Sequence, residues 1–142
     1  MLKKTITYED FDGNQRTEDF YFNISSTELT ELEMSIDGGF GSFVQKVTQA
    51  QDIPTLANVF RDFILMSYGE KSADGKYFVK KDSDGHRLAD RFVDSAAYDA
   101  LYMELVTDDK KAADFLNSII PKNIAQQIKT SNDGHPALTT NG

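Results

Sequence analysis

Residues 35–47, SIDGGFGSFVQKV, carry three glycines within four positions and raise the question of a phosphate-binding loop. Such a loop usually follows a buried strand, opens a helix and turns backbone N–H groups toward the anion. This chain has no G-x-x-x-x-G-K-[ST] motif, and Val44 stands where G-x-G-x-x-G requires its third glycine. Phe40, Phe43, Val44 and Val47 follow helical spacing. We therefore predict that the glycines connect two amphipathic helices.

The segment DSDGHRLADRFVD, residues 82–94, suggests calcium chemistry, because its first and third positions are acidic. In a calcium-binding loop of this length the sixth residue is a glycine, and the twelfth is a glutamate that binds the ion through both oxygens. Arg87 and Val93 occupy those two positions here. Both the charge and the turn geometry are lost, and we predict a solvated loop.

The two histidines, His86 and His135, are the only imidazoles of the chain. His86 follows a turn and has no second histidine at helical spacing, so the pattern of a helical zinc site is absent. We interpret it as an exposed loop residue. The less favoured alternative is a catalytic histidine that works with a serine and an aspartate from elsewhere.

Paired carboxylates have structural explanations in this sequence. Glu28 is placed to cap a helix, and Glu31 faces outward on the same helix. Asp108 and Asp109 fall in the first turn of another helix, where the dipole favours negative charge. We therefore predict no catalytic, cofactor-binding or metal-ligating residue, and a protein that is not an enzyme.

Composition narrows the class further. The chain has 142 residues, a formal net charge of −8 and no cysteine, so it can form neither a disulfide nor a cysteine zinc site. The excess of 23 acids over 15 bases argues against nucleic acid as a partner. Neither an apolar run long enough for a bilayer nor a secretory signal is present, and we expect a cytoplasmic protein.

The elements that would position these residues begin with a β-hairpin. LKKTITY and TEDFYFNI both place apolar residues at even positions, and the turn signal DFDGNQ separates them. A two-residue turn would place Ile6 opposite Asp19, so that each face of the hairpin would carry both apolar and polar side chains. A three-residue loop, residues 12–14, pairs Ile6 with Phe20 and Lys4 with Phe22, and we predict that register.

Helices account for most of the remaining pattern. ISSTEL reads as a capping box with Ile24 as a hydrophobic staple onto Leu29. A broad apolar helix is predicted to start near Asp52 and to end at Gly69. Residues 77–79 are predicted to form a strand or a tight turn. Two later helices are predicted to begin at caps, one at Ser95 or Asp94 and one at Thr107. The apolar faces predicted for five of the helices, in chain order, are Leu29, Leu32 and Ile36; Leu56, Val59, Phe60, Phe63 and Ile64; Leu88 and Phe92; Tyr98, Leu101, Tyr102 and Leu105; and Ala112, Phe115, Leu116 and Ile119.

The predicted fold class is α+β, an N-terminal β-hairpin packed on a mostly α-helical bundle of about five helices. We predict one globular domain over residues 1–121, with the hairpin in residues 1–24 and the helices in residues 25–121. Residues 122–142 form a C-terminal extension with one helical turn through Ile124 and Ile128. The last dozen residues lack apolar periodicity and are predicted to be mobile.

Aromatic residues outnumber what a small core must contain. Tyr21, Tyr77, Phe78, Tyr98 and Tyr102 either complete the edge of the core or form an interface, because tyrosine combines apolar area with a polar tip. The sequence favours neither interpretation.

The order of these elements resembles a known family. The hairpin KTITYEDFDGNQRTEDFYFNIS leads into the helix STELTELEMS; DGG, FRDFILMSYGEKSADGKYFVK and AYDALYMELVTDDKKAADFLNSIIP follow. Over residues 1–121 this pattern is similar to the tail assembly chaperones encoded in the structural modules of long-tailed bacteriophages. The resemblance lies in the general pattern and includes no catalytic motif.

The resemblance implies a role through protein–protein contact in the host cytoplasm during virion assembly. Such chaperones bind the tape-measure protein, keep its apolar helices soluble, help to recruit tail-tube subunits, and leave before the tail is complete. The family has no catalytic residues or cofactor to carry over. Many members also have a longer form made by frameshifting, and the polar end SNDGHPALTTNG is compatible with the short form.

Two other functions stay open at this point. One is a permanent small virion protein of the tail or the head-completion region. The other is a phage-encoded inhibitor or effector of a host protein, because an acidic protein can occupy a basic surface. Self-association is neither required nor excluded by the sequence.

Overall fold

The computed structural model describes residues 1–35 and 53–121. Within these residues the chain forms a four-stranded antiparallel sheet, in the order β1-β2-β3-β4, and five helices. This confirms the α+β class with an N-terminal hairpin. The elements are β1 (Leu2–Glu9), β2 (Gln15–Phe22), α1 (Ser26–Ser35), α2 (Ile53–Ser67), β3 (Tyr68–Lys71), β4 (Phe78–Val79), α3 (Leu88–Phe92), α4 (Ala96–Thr107) and α5 (Asp109–Ile119).

Several predicted features lie outside the described residues. They are the glycine connector at residues 37–41, the helix through Phe40 and Val47, the apolar position Ile36, and the extension over residues 122–142. These features stay predictions, as does the boundary of the globular domain at residue 121.

The register of the N-terminal hairpin differs from the predicted one by two residues. Ile6 pairs with Glu18 and Lys4 pairs with Phe20, where the sequence predicted Ile6 opposite Phe20 and Lys4 opposite Phe22. A shift of two residues leaves every side chain on its predicted face, because side chains alternate with a period of two. Ile6 and Phe22 are accordingly both buried.

The loop between β1 and β2 explains that shift. Three residues, 11–13, form it, one position earlier than predicted. The Asp10 N–H donates to the Asn14 carbonyl at 2.8 Å, and the Gly13 N–H donates to the Asp10 carbonyl at 3.0 Å. Gly13 has a φ of +84°, the left-handed conformation that glycine adopts most readily. The Asp10 carboxylate also accepts the N–H groups of Asp12 and Asn14, each at 2.9 Å, which fixes the loop at this position.

The predicted capping box at the start of α1 is confirmed. The Ser25 N–H donates to Glu28 Oε1 at 2.8 Å, and the Glu28 N–H donates to Ser25 Oγ at 3.1 Å. Ile24 and Leu29, the predicted staple pair, both belong to the buried core. The cap therefore joins the end of the hairpin to the core.

Gly69 lies in a strand, so its predicted role at the end of a helix is wrong. Helix α2 ends at Ser67, whose hydroxyl donates to the Phe63 carbonyl at 2.7 Å, and the chain enters β3 at the next residue. Gly69 pairs with Tyr21 of β2. A Cβ at this position would collide with the Phe78 ring and lie 2.7 Å from the Val79 carbonyl oxygen. Glycine is needed here for the close approach of two strands.

The segment Tyr77–Val79 was expected to be a strand or a tight turn, and Phe78–Val79 forms strand β4. It pairs with β3, which in turn pairs with β2. The sheet therefore extends beyond the N-terminal hairpin into the part of the chain that was predicted to be helical.

The last two helices differ from the prediction only in one cap. Ser95 caps α4, as expected, and accepts the Tyr98 N–H at 3.2 Å. Asp108, and not Thr107, caps α5, and its carboxylate accepts the N–H groups of Lys110 and Lys111 at 3.1 Å. Thr107 is still helical in α4, whereas Asp108 has the extended backbone of an N-cap.

The core lies between one face of the sheet and the helices. Phe22 is fully buried, with its ring centroid 5.3 Å from that of Phe115 and 5.9 Å from that of Phe92. Burying one such side chain stabilises the fold by about 1.5–3 kcal/mol. The other predicted core residues that are buried are Leu29, Phe60, Phe63, Ile64, Leu101, Leu105, Ala112, Leu116 and Ile119.

Candidate protein-binding groove

An open groove of about 440 Å³ lies at the loop end of the first hairpin. It is bounded by the β1–β2 loop, by strands β2 and β3, and by α3 with the first residues of α4. The capping of α4 by Ser95 and the direct passage from α2 into β3 bring these walls together. Its volume falls within the range of roughly 300–1,000 Å³ that is usual for binding pockets.

Aromatic rings form the floor of this groove. The rings of Tyr68 and Phe92 stack with centroids 4.2 Å apart and planes 5° apart. Phe20 lies 5.3 Å from Phe92, and Tyr8 lies 6.4 Å from Phe20. Together with Leu88 these rings make a continuous apolar strip along the groove. Tyr8, Phe20 and Tyr68 also pack against the buried core, to which Phe92 belongs.

The rim of the groove is acidic. Four of its lining residues are carboxylates and one is a guanidinium, Arg91. Two of the acids, Asp10 and Glu18, share Arg16, which lies 2.6 Å and 3.4 Å from their nearest oxygens. The other two, Glu70 and Asp94, are exposed and form no salt bridge with any residue in the described ranges.

Hydrogen bonds shift the pKa values of Tyr8 and Asp10 at the rim of the groove. The Tyr8 hydroxyl donates to Glu18 Oε1 at 2.5 Å, and this bond, with burial second, raises the pKa of Tyr8. The hydrogen bond from Arg16, followed by the Asn14 N–H, lowers the pKa of Asp10. At neutral pH Tyr8 is therefore neutral and Asp10 is negative.

Phe11 stands at the lip of the groove on the tip of the β1–β2 loop. Its side chain is 86% exposed, which is unusual for a large apolar residue and leaves its surface unprotected from water. The loop that carries it is fixed by the Asp10 carboxylate. The loop therefore holds the Phe11 side chain toward solvent, beside the aromatic floor of the groove.

The loop at residues 82–86 brings together three side chains of types that can bind a metal ion. The ligand atoms of Asp82, Asp84 and His86 lie within 4.8 Å of one another, and all three residues are exposed. However, Asp82 Oδ1 already accepts the N–H groups of Asp84 and His86, each at 2.9 Å. The same D-x-D-G loop, with the same hydrogen bonds, occurs at Asp10, so the cluster has a structural explanation.

The pKa of Asp82 is lowered, first by the hydrogen bond from the His86 N–H and against the opposing effect of burial. His86 Nδ1 lies 3.6 Å from Asp82 Oδ2, and within residues 1–35 and 53–121 no serine hydroxyl forms a hydrogen bond with His86. His135 lies outside the described residues. The prediction of no metal or catalytic residue stays a prediction.

A family model described as phage tail assembly chaperone matches residues 1–141. The chain belongs to the phage tail assembly chaperone family. This confirms the resemblance that the sequence pattern indicated, and extends it past residue 121. Neither a curated protein nor a solved structure matches the chain.

A chaperone of this family acts on other proteins in tail assembly, so its exposed surfaces are the relevant ones. No helix in residues 1–35 and 53–121 has both the length and the apolar character to cross a membrane. Among the aromatic residues considered for an interface, Tyr77 is 64% exposed, whereas Tyr98 and Tyr102 are half-buried, and Tyr98 packs against both Phe92 and Tyr102. The last two therefore complete the edge of the core.

The groove was not predicted from the sequence. Its lining residues come from three separate parts of the chain, around residues 8–20, 68–70 and 88–96. One signal was available, namely Phe11 between two aspartates in the turn DFDGN, where an apolar residue has no role in the turn itself. The carboxylates Glu28 and Asp108, in contrast, lie at helix caps, in agreement with their structural interpretation.

Proposed function

We propose that this protein is a tail assembly chaperone that binds the tape-measure protein and tail-tube subunits in the host cytoplasm, and that it catalyses no reaction. The observation that carries this proposal is the family match over residues 1–141, almost the whole chain. The identity of the two partners, the tape-measure protein and the tail-tube subunits, is what the family resemblance implies.

The geometry supports action by contact. The groove presents an apolar aromatic floor with an acidic rim, the features of a surface that binds a polypeptide. The pKa values of Asp10 and Asp82 are lowered first by hydrogen bonds from Arg16 and from the His86 N–H, and that of Glu28 is lowered, against burial, by Lys80 and the Ser25 N–H, so these carboxylates already have structural partners.

Co-expression with the tape-measure protein of the same phage tests the proposal directly. The tape-measure protein expressed alone is expected in the insoluble fraction, because long amphipathic helices expose apolar faces. With this chain it is expected in the soluble fraction, as a complex that survives size-exclusion chromatography. If the tape-measure protein stays insoluble and no complex forms, the proposal is wrong.

Mass spectrometry of purified phage particles separates this function from that of a permanent virion protein. A chaperone is expected to be missing from complete particles, whereas a structural component would be present in fixed proportion. Capture of a single host protein, with no binding to the tail proteins, would instead indicate a host-directed effector.

A further inference from the structure

We propose that the acidic groove is the site where this chaperone holds its partner, and that it takes a segment in which large apolar side chains are flanked by lysine or arginine. This inference rests on the proposed function and adds the place of binding and the chemistry of the bound segment.

The floor and the lip of the groove supply its apolar surface. Phe20 and Tyr68 are partly exposed and line the groove, where they flank the buried ring of Phe92. Phe11 adds a large apolar surface at the lip that no described residue covers, since it is 86% exposed. A partner that places an apolar side chain between Phe11 and the floor removes both surfaces from water, which is favourable. About 440 Å³ is room for anchor side chains and not for a whole helix.

The rim of the groove supplies the negative charge that a bound segment must balance. The four lining carboxylates exceed the lining Arg91 and the adjacent Arg16 by two negative charges. Arg16 partly balances Asp10 and Glu18, but Glu70 and Asp94 have no salt bridge within residues 1–35 and 53–121. A lysine or arginine beside the anchor would supply the missing counter-charge. The same rim repels nucleic acid and acidic segments.

Two matched pairs of variants test the site. Glu70→Lys reverses an exposed rim charge, and Glu31→Lys makes the same change on α1, where Glu31 is exposed and does not line the groove. Phe11→Ala removes the exposed apolar lip, and Tyr77→Ala removes another exposed aromatic side chain outside the groove. All four positions are exposed, so the variants are expected to fold, which circular dichroism and thermal melting verify.

The probes are fluorescein-labelled synthetic peptides that tile the tape-measure protein of the same phage, and fluorescence anisotropy gives the dissociation constant. We expect the bound peptides to combine apolar residues with lysine or arginine. Glu70→Lys and Phe11→Ala are each expected to weaken binding about tenfold, while Glu31→Lys and Tyr77→Ala leave it unchanged. The effect of Glu70→Lys should shrink when the salt concentration rises from about 0.05 M to about 0.5 M, because salt screens the rim charge.

The outcomes separate this inference from the function on which it rests. If full-length tape-measure protein forms a soluble complex with the wild type and equally well with both groove variants, the groove is not the binding site, although the chaperone function stands. If the wild type itself forms no complex, the proposed function fails and the inference fails with it. If the wild type dimerises and Phe11→Ala is monomeric, a second copy of the chain occupies the groove and the inference is wrong.

Discussion

Lys80 forms an ion pair with Glu28 across 52 residues of sequence, with its Nζ 2.7 Å and 2.8 Å from the two carboxylate oxygens. The same ammonium donates to the Met66 carbonyl at 2.9 Å, near the end of α2. Because Glu28 also closes the capping box with Ser25, one carboxylate connects the start of α1 to the segment that follows β4. The pair is half-buried and therefore less screened than a surface salt bridge.

Glu28→Gln is expected to lower the free energy of unfolding by about 1 kcal/mol, because it removes the charge that pairs with Lys80 but retains a side chain that can complete the capping box. Glu28→Ala removes both interactions and is expected to cost about 2 kcal/mol. Urea unfolding monitored by circular dichroism measures both values.

Glu31→Gln, an exposed position on the same helix, serves as the control and is expected to change stability little. Equal stability of the Glu28→Gln variant and the wild type would mean that the ion pair contributes nothing to the fold.

Acid is expected to weaken the fold partly through Glu28. Burial alone would raise the pKa of Glu28, but the hydrogen bonds from Lys80 and the Ser25 N–H outweigh it and the pKa is lowered. A carboxylate with a lowered pKa in the folded state stabilises the protein above its unfolded pKa, about 4.3 for glutamate. That contribution is lost as the pH falls through the lower folded value.

The measurement is the difference in unfolding free energy between the wild type and Glu28→Gln as a function of pH. It is expected to be constant above about pH 5 and to shrink as the pH falls below about 4.3, because the unfolded state then binds the proton before the folded state does. A difference that stays constant down to pH 3 would contradict the lowered pKa.

Gly69→Ala is expected to destabilise the protein by about 3 kcal/mol, because the added methyl group collides with the Phe78 ring and the Val79 carbonyl oxygen. The ring can turn away, but the carbonyl cannot move unless β3 and β4 separate. Urea unfolding provides the value.

Gly75→Ala is the matched comparison, because Gly75 has a φ of +77° but open space around it. Its cost is expected to be about 1 kcal/mol, from backbone strain alone. The prediction fails if Gly75→Ala proves the more damaging of the two.

Calcium at about 1 mM, enough to fill even weak sites, is expected to leave the melting temperature unchanged. Asp82 already uses one oxygen for two backbone N–H groups, and Arg87 and Val93 stand at the positions where such a loop needs glycine and glutamate. Thermal melting with calcium and with a chelator measures this. A rise in melting temperature that disappears in Asp84→Asn would reveal a metal site.

Local patterns were enough to predict much of the fold. The capping box at Ser25 and Glu28, the cap at Ser95, and the apolar faces of α4 and α5 each depend on residues within one or two helical turns. The cap of α5 was missed by one residue, because Thr107 and Asp108 can both accept N–H groups and only the helical position of Thr107 in α4 decides between them.

Patterns along the chain predicted the α+β class, the buried faces of α4 and α5, and the family, because periodicity and motif order can be read from the residues alone. Tertiary structure alone decided the features that depend on distant segments. These features are the pairing of Ile6 with Glu18, the position of Gly69 in a strand, the ion pair of Lys80 with Glu28, and the groove that Phe11 and Tyr68 both line. A shift of two residues in a strand keeps the same face buried, so alternation could not choose the register. Contacts across tens of residues depend on how the whole chain packs, and no local pattern encodes them.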